Sequence, residues 1–531
     1  ERINAISDGG KSWILGASEL FGGSPDFYQQ SLDWVRQSTP NDVRSVMKDW
    51  LSDGSFVLEV QPMPQFRVAT SGVDRSSMPE PGAPSELHLP SLQRMTLSNG
   101  LNVVLAERHG APLVNLSLIL DAGRAADSVA NAGTAALTLD MLDEGAGKRD
   151  GLQIAARASE LGAKLSMSAA FDASFVEFDA MADRLDDSLA LLGDILIRPT
   201  FPQAALERVR QQQLADIEQE RSDPKGIAQR LLPGLMYGAG HAYASPLSGK
   251  GSAAAIGALT RKDVETFHRR WIRPDNATLL IVGDTTREAV AALLERHLGA
   301  WRAPDEPLLK KNLGTPVSSK ARVLLVDRPG AEQSMIVTGN ATPSFKQQES
   351  ISAGIVNALL GGLFISRINM NLREDKHWAY VVKSQLLEAR GPGAFLVEAP
   401  VQADKTADAM REILQELRDV TGSRPPTQSE LNSARNSLAL ALPGLNETTA
   451  GVAASYRSLL VQGLPDSHWN DYFNKASELT PLQLATVAKQ LVRPAELSWV
   501  VVGDLRKIEA DIRKLGIGPV SVVDADGKVL R

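Results

Sequence analysis

The sequence contains no cysteine among its 531 residues. This absence excludes disulfides, thiolate nucleophiles, iron–sulfur clusters and zinc sites with cysteine ligands. The sequence also lacks a run of lysine and arginine, and its 56 basic and 63 acidic residues give a net charge of −7. Nucleic-acid binding requires a basic surface, so we expect no nucleic acid among the partners.

Long apolar runs are also missing. One long uncharged stretch, residues 350–366, contains serine, asparagine and two adjacent glycines. It is too short and too polar to cross a bilayer comfortably, so the sequence predicts no membrane span. Apolar residues make up 43% and charged residues 22%, which is typical of a folded, soluble protein with several cores.

One sequence unit occurs more than once in the chain. At Thr260 it reads TRKDVETFHRRWIRPDNATLLIVGD and at Thr480 it reads TPLQLATVAKQLVRPAELSWVVVGD. A weaker copy, TPNDVRSVMKDWLSDGSFVLEVQP, begins at Thr39. Each copy predicts a threonine-capped helix, a break and a buried strand. The two strong copies lie 220 residues apart, which predicts tandem domains of about that size.

These spacings divide the chain into four segments. The copy at Thr39 comes too early to close a complete domain, so residues 1–68 are predicted to be the tail of a preceding domain. Residues 69–90 are rich in serine, glycine and proline and are predicted to be a linker. Two complete domains, 91–305 and 306–531, would follow. Their mixture of helices and mostly antiparallel strands predicts an α+β fold.

The local patterns predict individual elements within the two complete domains. The runs 95–107 and 113–123 are predicted to pair as antiparallel strands, and hairpins are predicted at Phe171–Asp172 and across residues 390–393. Helices are predicted at 132–144, 182–197, 203–219 and 349–373. The strand 394–402 could offer an edge to an extended peptide, but the sequence leaves open whether that edge is free.

Four segments in the same order are similar to a known family. They are LSNGLNVVLAE, LILDAGRAADSVANAGTAALTLDMLDEGA, YGAGHAYASPLSGKGSAAAIGALTRKDVETFHRRWIRPDNATLLIVGD and LLGGLFISRINMNLREDKHWAYVVKS. They resemble the insulinase/pitrilysin metallopeptidases, the inverted zincins, together with mitochondrial processing peptidase and the cytochrome bc core subunits. The resemblance covers nearly the whole chain. It implies one half of a clamshell that closes around a peptide.

The zinc motif of that family is degenerate here. The family needs a helix with His-x-x-Glu-His, whose histidines ligate zinc and whose glutamate activates water, and a later glutamate ligand. Laid on this sequence, the two histidines fall on Ala136 and Asp140, the general base falls on Leu139, and the later ligand falls on Asp216. Ala136 has no donor atom and Leu139 has no base. The resemblance therefore implies that this chain binds no zinc or other cofactor and is inactive alone.

No other residues replace the lost ligands in the sequence. All the histidines stand alone, without a partner at ligand spacing: His88, His109, His241, His268, His297, His377 and His468. Each is interpreted as a surface or packing residue. A zinc ion would therefore have to come from a catalytic partner.

A second family signature survives in LREDKHWAY. The resemblance implies that Arg373 and Tyr380 reach across the chamber to the bound peptide near the scissile carbonyl. A guanidinium and a phenol can both donate hydrogen bonds to a carbonyl oxygen that gains negative charge. The alternative is that Arg373 pairs with Glu374 or Asp375 on a solvated surface. The family's glycine between the pair is replaced by His377, which leaves the shape of the turn open.

The leading hypothesis is the non-catalytic, substrate-binding, carboxyl-side half of a zinc endopeptidase that degrades or processes peptides. The zinc and the general base would come from an upstream half of the same gene product or from a separate subunit in a hetero-oligomer. A structural or assembly subunit of the same fold is an alternative, and so is a stand-alone peptide-binding module. Family analogy suggests a periplasmic location.

Overall fold

The computed structural model describes residues 10–52, 54, 57–58, 87–316, 320–345 and 348–531. The chain divides into two compact units, Glu1–Pro84 and Ser85–Arg531. The first unit contains the helices α1 (Gly10–Gly22), α2 (Phe27–Gln37) and α3 (Pro40–Leu51). Thr39 caps α3 as predicted, and its backbone nitrogen donates a hydrogen bond to the Asp42 carboxylate. Most of the strand predicted after α3 and of the linker 69–90 lies outside the described residues.

The second unit contains two sheets of six strands each within its described residues. We call residues 87–316 its first half and residues 320–531 its second half. The first sheet has the strand order β1-β2-β8-β3-β7-β6 and the second has the order β11-β12-β10-β13-β9-β14. The strands are β1 (Leu92–Thr96), β2 (Asn102–Glu107), β3 (Leu113–Leu120), β4 (Gly145–Ala146), β5 (Arg149–Asp150), β6 (Lys164–Ala169), β7 (Ser174–Met181), β8 (Ala277–Gly283), β9 (Arg322–Asp327), β10 (Gln333–Ala341), β11 (Lys383–Leu387), β12 (Ala394–Gln402), β13 (Ser498–Gly503) and β14 (Val520–Val523).

The two sheets repeat one arrangement of five strands. Strands β2, β8, β3, β7 and β6 correspond in order to β9, β13, β10, β12 and β11. In each sheet the first pair of this series is parallel and the later pairs are antiparallel. The predicted α+β fold of mostly antiparallel sheet is therefore confirmed.

Helices flank both sheets. In the first half they are α4 (Thr134–Asp140), α5 (Gly151–Glu160), α6 (Leu185–Ile197), α7 (Gln203–Ser222), α8 (Pro224–Tyr237), α9 (Ala253–Ala258), α10 (Arg261–Trp271) and α11 (Arg287–Leu298). In the second half they are α12 (Gln348–Asn357), α13 (Arg367–Asn369), α14 (Thr406–Thr421), α15 (Gln428–Leu445), α16 (Thr449–Gln462), α17 (Tyr472–Ser477), α18 (Pro481–Leu491) and α19 (Leu505–Lys514). Thr260 and Thr480 cap α10 and α18, as the repeat predicts.

Both predicted hairpins are present, but the predicted pairing of 95–107 with 113–123 is wrong. Strand β8 lies between β2 and β3, parallel to the first and antiparallel to the second. The nearly continuous apolar sequence of β8 suits this central position, which is buried on both faces. Strand β12 is also interior, because it pairs with both β10 and β11, so the segment 394–402 offers no free edge.

The helix predicted at 349–373 is interrupted. After α12, a π-helical turn covers Ala358–Gly362, and a second π-helical turn, Met370–Asp375, follows α13. A Cβ atom on Gly361 would lie 2.5 Å from the backbone nitrogen of Ser384, so glycine permits close packing on β11. By length and composition, residues 349–375 could cross a membrane, yet 61% of the apolar stretch within this segment is buried inside the protein. Packing in the core of the second half accounts for this apolar composition.

The two halves exchange a helix. Helix α8 of the first half packs against β10 and β13 of the second sheet, where Leu232 shares a core with Val337 and Val500. Helix α16 of the second half packs against β3 and β8 of the first sheet, where Leu459 shares a core with Ile119. Each half therefore buries one face of the other half's sheet.

Candidate functional site

Helix α4 carries three of the four positions that correspond to the zinc motif. Its first turn is held by Asp127, whose carboxylate accepts hydrogen bonds from the backbone nitrogens of Gly133 and Ala135, both at 2.8 Å. Burial raises the pKa of Asp127 to about 7, although these two hydrogen bonds act in the opposite direction. The backbone of Gly133 is left-handed, with φ of 100°. Sequence analysis missed Asp127 because it lies seven positions before α4 and forms no local capping box.

The side chains at these positions point to different surroundings. Leu139 is fully buried in the hydrophobic core of the first half, so the position of the general base has become part of the core. Ala136 is only partly buried, and it offers no donor atom. Asp140 is partly exposed at the end of the helix. Desolvation raises the pKa of Asp140, although the nearby Lys250 ammonium lowers it.

The structure brings Asp140 and Asp216 together around a lysine. Asp216 lies on α7, and its Oδ2 atom is 3.1 Å from the Nζ atom of Lys250. The same Nζ atom is 4.0 Å from Oδ2 of Asp140. The sequence does not predict this role for Lys250, because Lys250 is distant in sequence from Asp140 and a lone lysine does not indicate its partner.

These residues do not fit a catalytic zinc ion. Such a site needs three protein ligands and an open position, whereas here two carboxylates flank an ammonium group. No cluster of three or more His, Asp or Glu residues with metal-binding geometry occurs in the described part of the chain. Among the described histidines, His109 and His297 form hydrogen bonds with the carboxylates of Asp284 and Asp186.

Arg373 and Tyr380 lie together in the second half. Arg373 belongs to the second π-helical turn, and its guanidinium carbon is 4.4 Å from the ring centre of Phe364 and 5.0 Å from that of Tyr380. Its Nε atom also pairs with Glu374 at 3.1 Å. Tyr380 is 81% exposed. The ion pair with Glu374 and the contact with Tyr380 therefore occur together, and the phenol stays accessible.

The turn between Arg373 and Tyr380 needs a left-handed residue. His377 has φ of 58°, and its Nδ1 atom lies 3.1 Å from the Arg373 carbonyl oxygen. Glycine adopts this conformation without steric cost, whereas for histidine it is uncommon but accessible. His377 therefore adopts a backbone conformation suited to glycine, the residue that the family places there.

Three exposed apolar side chains lie next to this pair. Phe364, Ile365 and Val381 are exposed large hydrophobic residues that adjoin the aromatic contacts of Arg373. Stacking between two rings limits the freedom of the guanidinium while leaving its nitrogens able to donate. Sequence analysis missed Phe364, for which the sequence offers no signal beyond an aromatic residue after the double glycine.

Comparison with known proteins identifies the class and then the family. The chain is 25% identical over 380 residues to an uncharacterized zinc protease of Mycobacterium bovis, across 71% of this chain and 81% of that protein. It is 21% identical over 417 residues to the non-peptidase homolog YmxG of Helicobacter pylori, across 76% and 92% of the two chains. By class, the chain is therefore similar to zinc proteases and to a relative without peptidase activity.

Family models match two adjoining parts of the chain. Residues 102–248 match the insulinase model (peptidase family M16), and residues 258–438 match the model described as the peptidase M16 inactive domain. Together these matches cover more than half of the chain. The chain belongs to the insulinase family.

Solved structures agree with this assignment. The peptidase M16 inactive domain from Pseudomonas fluorescens superimposes with a TM-score of 0.72 at 25% identity, over 78% of this chain and 98% of that chain. The periplasmic protease PqqL of Escherichia coli superimposes with a TM-score of 0.67 at 17% identity, over 88% of this chain and 51% of that chain. The likeness to PqqL shows that the two proteins share a fold.

Proposed function

We propose that this chain is the non-catalytic, peptide-binding half of an insulinase-family zinc endopeptidase. A catalytic half with an intact His-x-x-Glu-His helix supplies zinc and the general base. The present chain supplies the opposite wall of the chamber, where it binds and orients the peptide. The proposal rests first on the site in the second half, and it is consistent with the donor set around Asp140 and Asp216, which cannot form a three-ligand zinc site.

The observation that carries the proposal is the position of Arg373 against Phe364 and Tyr380. The stacked guanidinium and the exposed phenol can donate hydrogen bonds to one carbonyl oxygen of an extended peptide. Such donors stabilise the negative charge that develops on that oxygen during hydrolysis. The exposed apolar side chains beside them can pack against side chains of an unfolded peptide.

The relatives support the proposed partner and the proposed compartment. The inactive-domain match and the likeness to half of a periplasmic protease support a catalytic half as the partner. That half is either an upstream part of the same gene product or a separate subunit. By analogy, the same likeness supports a periplasmic location.

The proposal is tested by reconstitution with a catalytic half. We expect peptide hydrolysis only when both halves are present, with the zinc recovered in the catalytic half. Arg373→Ala should lower kcat/KM of the complex by about 100-fold or more without changing assembly. Arg411→Ala is a matched control, since Arg411 is an exposed arginine of the same half that pairs with Asp408 at 2.6 Å. Equal kcat/KM values for the two variants would refute the proposal.

A structural or assembly role is the second candidate, favoured by the similarity to the non-peptidase homolog YmxG. In that case the homologous half would also have a degenerate zinc motif, and the two halves together would not hydrolyse peptides. A stand-alone peptide-binding module would instead bind unfolded peptide without any partner. The upstream coding sequence and a binding assay on the isolated chain distinguish these cases.

A further inference from the structure

The segment before α9 places one positive charge between two helices. The Lys250 ammonium is 3.1 Å from the Asp216 carboxylate on α7 and 4.0 Å from the Asp140 carboxylate on α4. These two carboxylates stand at the positions that correspond to two metal ligands of the family. Without a cation between them, their negative charges would repel each other at this partly buried site.

The backbone of Lys250 is held in place by the same two regions. The buried amide of Gln213, one turn before Asp216 on α7, donates a hydrogen bond to the Lys250 carbonyl oxygen at 2.8 Å. A Cβ atom on Gly251 would lie 1.9 Å from the carbonyl oxygen of Ala132, and one on Gly133 would lie 2.5 Å from that of Lys250. These glycines allow the loop to lie directly against the start of α4. The lysine is therefore fixed at its base as well as at its ammonium group.

Further negative charge lies near Asp140 on Asp143 and Glu144. Glu144 pairs with Arg208, and Gln212 donates a hydrogen bond to the second oxygen of Asp216 at 3.2 Å. Within the described residues, no other lysine or arginine forms an ion pair with Asp140 or Asp216. Lys250 is thus the counter-ion that the two carboxylates share.

We infer that Lys250 is an internal cation that takes the electrostatic place of the metal ion between α4 and α7. Its ammonium compensates the two carboxylates, joins the two helices and opposes the entry of a divalent ion. The loss of metal ligands in this half is then accompanied by a built-in replacement for the metal's charge. This inference does not depend on the proposed peptide-binding role of the second half.

The first test removes the lysine and offers manganese, because carboxylate oxygens suit Mn²⁺. We expect Lys250→Ala to lower Tm and to bind Mn²⁺ about tenfold or more tightly than the unmodified chain, since a repelling charge is gone. Mn²⁺ should restore Tm in this variant, and adding Asp216→Asn should abolish that effect. Lys164→Ala, which removes an exposed lysine of the same half, is the control and should match the unmodified chain.

The second test restores the family's ligands by Ala136→His, Leu139→Glu, Asp140→His and Asp216→Glu. We expect this restored chain to bind Zn²⁺ about tenfold or more weakly with Lys250 present than with Lys250→Ala added. The buried Leu139→Glu change could prevent folding, and that residue is not a ligand. In that case the restored chains with and without Lys250 are compared without Leu139→Glu.

Two results would overturn the inference. One is an equal Mn²⁺ affinity and Tm for Lys250→Ala, Lys164→Ala and the unmodified chain. The other is an equal Zn²⁺ affinity of the restored chain with and without Lys250. Titration calorimetry measures both affinities on the full chain, and neither result depends on peptide hydrolysis.

Discussion

The first and second halves of the larger unit share five corresponding strands, but the helix that follows β3 differs from the helix that follows β10. In the first half, α4 follows β3, buries Leu139 and ends at Asp140 beside Lys250. In the second half, α12 follows β10, and the segment continues through two π-helical turns to Arg373. The site in the first half is occupied by Lys250 of the same chain, whereas the site in the second half keeps exposed aromatic and cationic side chains. The two halves therefore share a fold but carry different side chains along this helix.

The exchange of α8 and α16 makes the two halves dependent on each other. We predict that Leu232→Ala and Leu459→Ala each lower the free energy of unfolding by about 2–5 kcal/mol, because each empties a buried site under the other half's sheet. Both variants should shift one common transition, measured by tryptophan fluorescence and by hydrogen exchange in each half. The exposed Leu482→Ala should change stability by less than about 0.5 kcal/mol.

Two separate transitions would break this comparison. If Leu232→Ala destabilised the second sheet while hydrogen exchange in the first sheet stayed unchanged, the halves would unfold independently. The predicted boundary between 305 and 306 would then separate two autonomous domains.

Each half contains a residue other than glycine with positive φ, and the two should respond oppositely to glycine. Phe201, with φ of 42°, is buried in the first core, so Phe201→Gly should cost about 3–5 kcal/mol through lost packing. His377, with φ of 58°, is exposed, so His377→Gly should gain about 0.5–1 kcal/mol by relieving backbone strain. Urea unfolding measures both values.

His377→Ala separates the backbone from the side chain. It keeps the unfavourable left-handed conformation and removes the imidazole, so we expect no gain in stability. A gain as large as that of His377→Gly would show that the imidazole, and not the backbone, is the source of the strain.

The remaining predicted effects concern pH, and they have opposite signs in the two halves. Burial raises the pKa of Asp127 to about 7, so its contribution to stability is complete below about pH 4 and is lost as the pH rises towards 7. Burial lowers the pKa of His468 to about 4, so its contribution is complete above about pH 6.5 and is lost as the pH falls towards 4. Urea unfolding between pH 4 and 7 measures both contributions.

Substitution of each group should remove its own contribution to the dependence of stability on pH. Relative to the unmodified chain, Asp127→Asn should gain stability as the pH rises through this window. His468→Gln should gain stability as the pH falls through it. The same slope for both variants would contradict the assignment of these two groups.

Much of the fold could be predicted because its signals are local. The threonine caps of α10 and α18, the hairpin turns and the helical spacing of 185–197 depend on neighbouring residues. The insertion of β8 between β2 and β3 could not be predicted, because β8 is far from both in sequence and its apolar pattern does not specify its neighbours.

The candidate site divides in the same way. Arg373 and Tyr380 could be predicted because they lie seven residues apart in one motif, and the structure places them in contact. Lys250 could not, because its ion pairs with Asp140 and Asp216 depend on how three separate segments pack. The left-handed His377 could not be predicted either, because histidine alone does not indicate positive φ.

The central claim is that this chain holds no catalytic zinc of its own. Metal analysis of the purified chain by mass spectrometry, after equilibration with zinc and removal of weakly bound ions, tests it most directly. We expect far less than one zinc ion per chain and an unchanged Tm in the presence of a chelator. One tightly bound zinc ion per chain, removed by the chelator with a loss of stability, would contradict it.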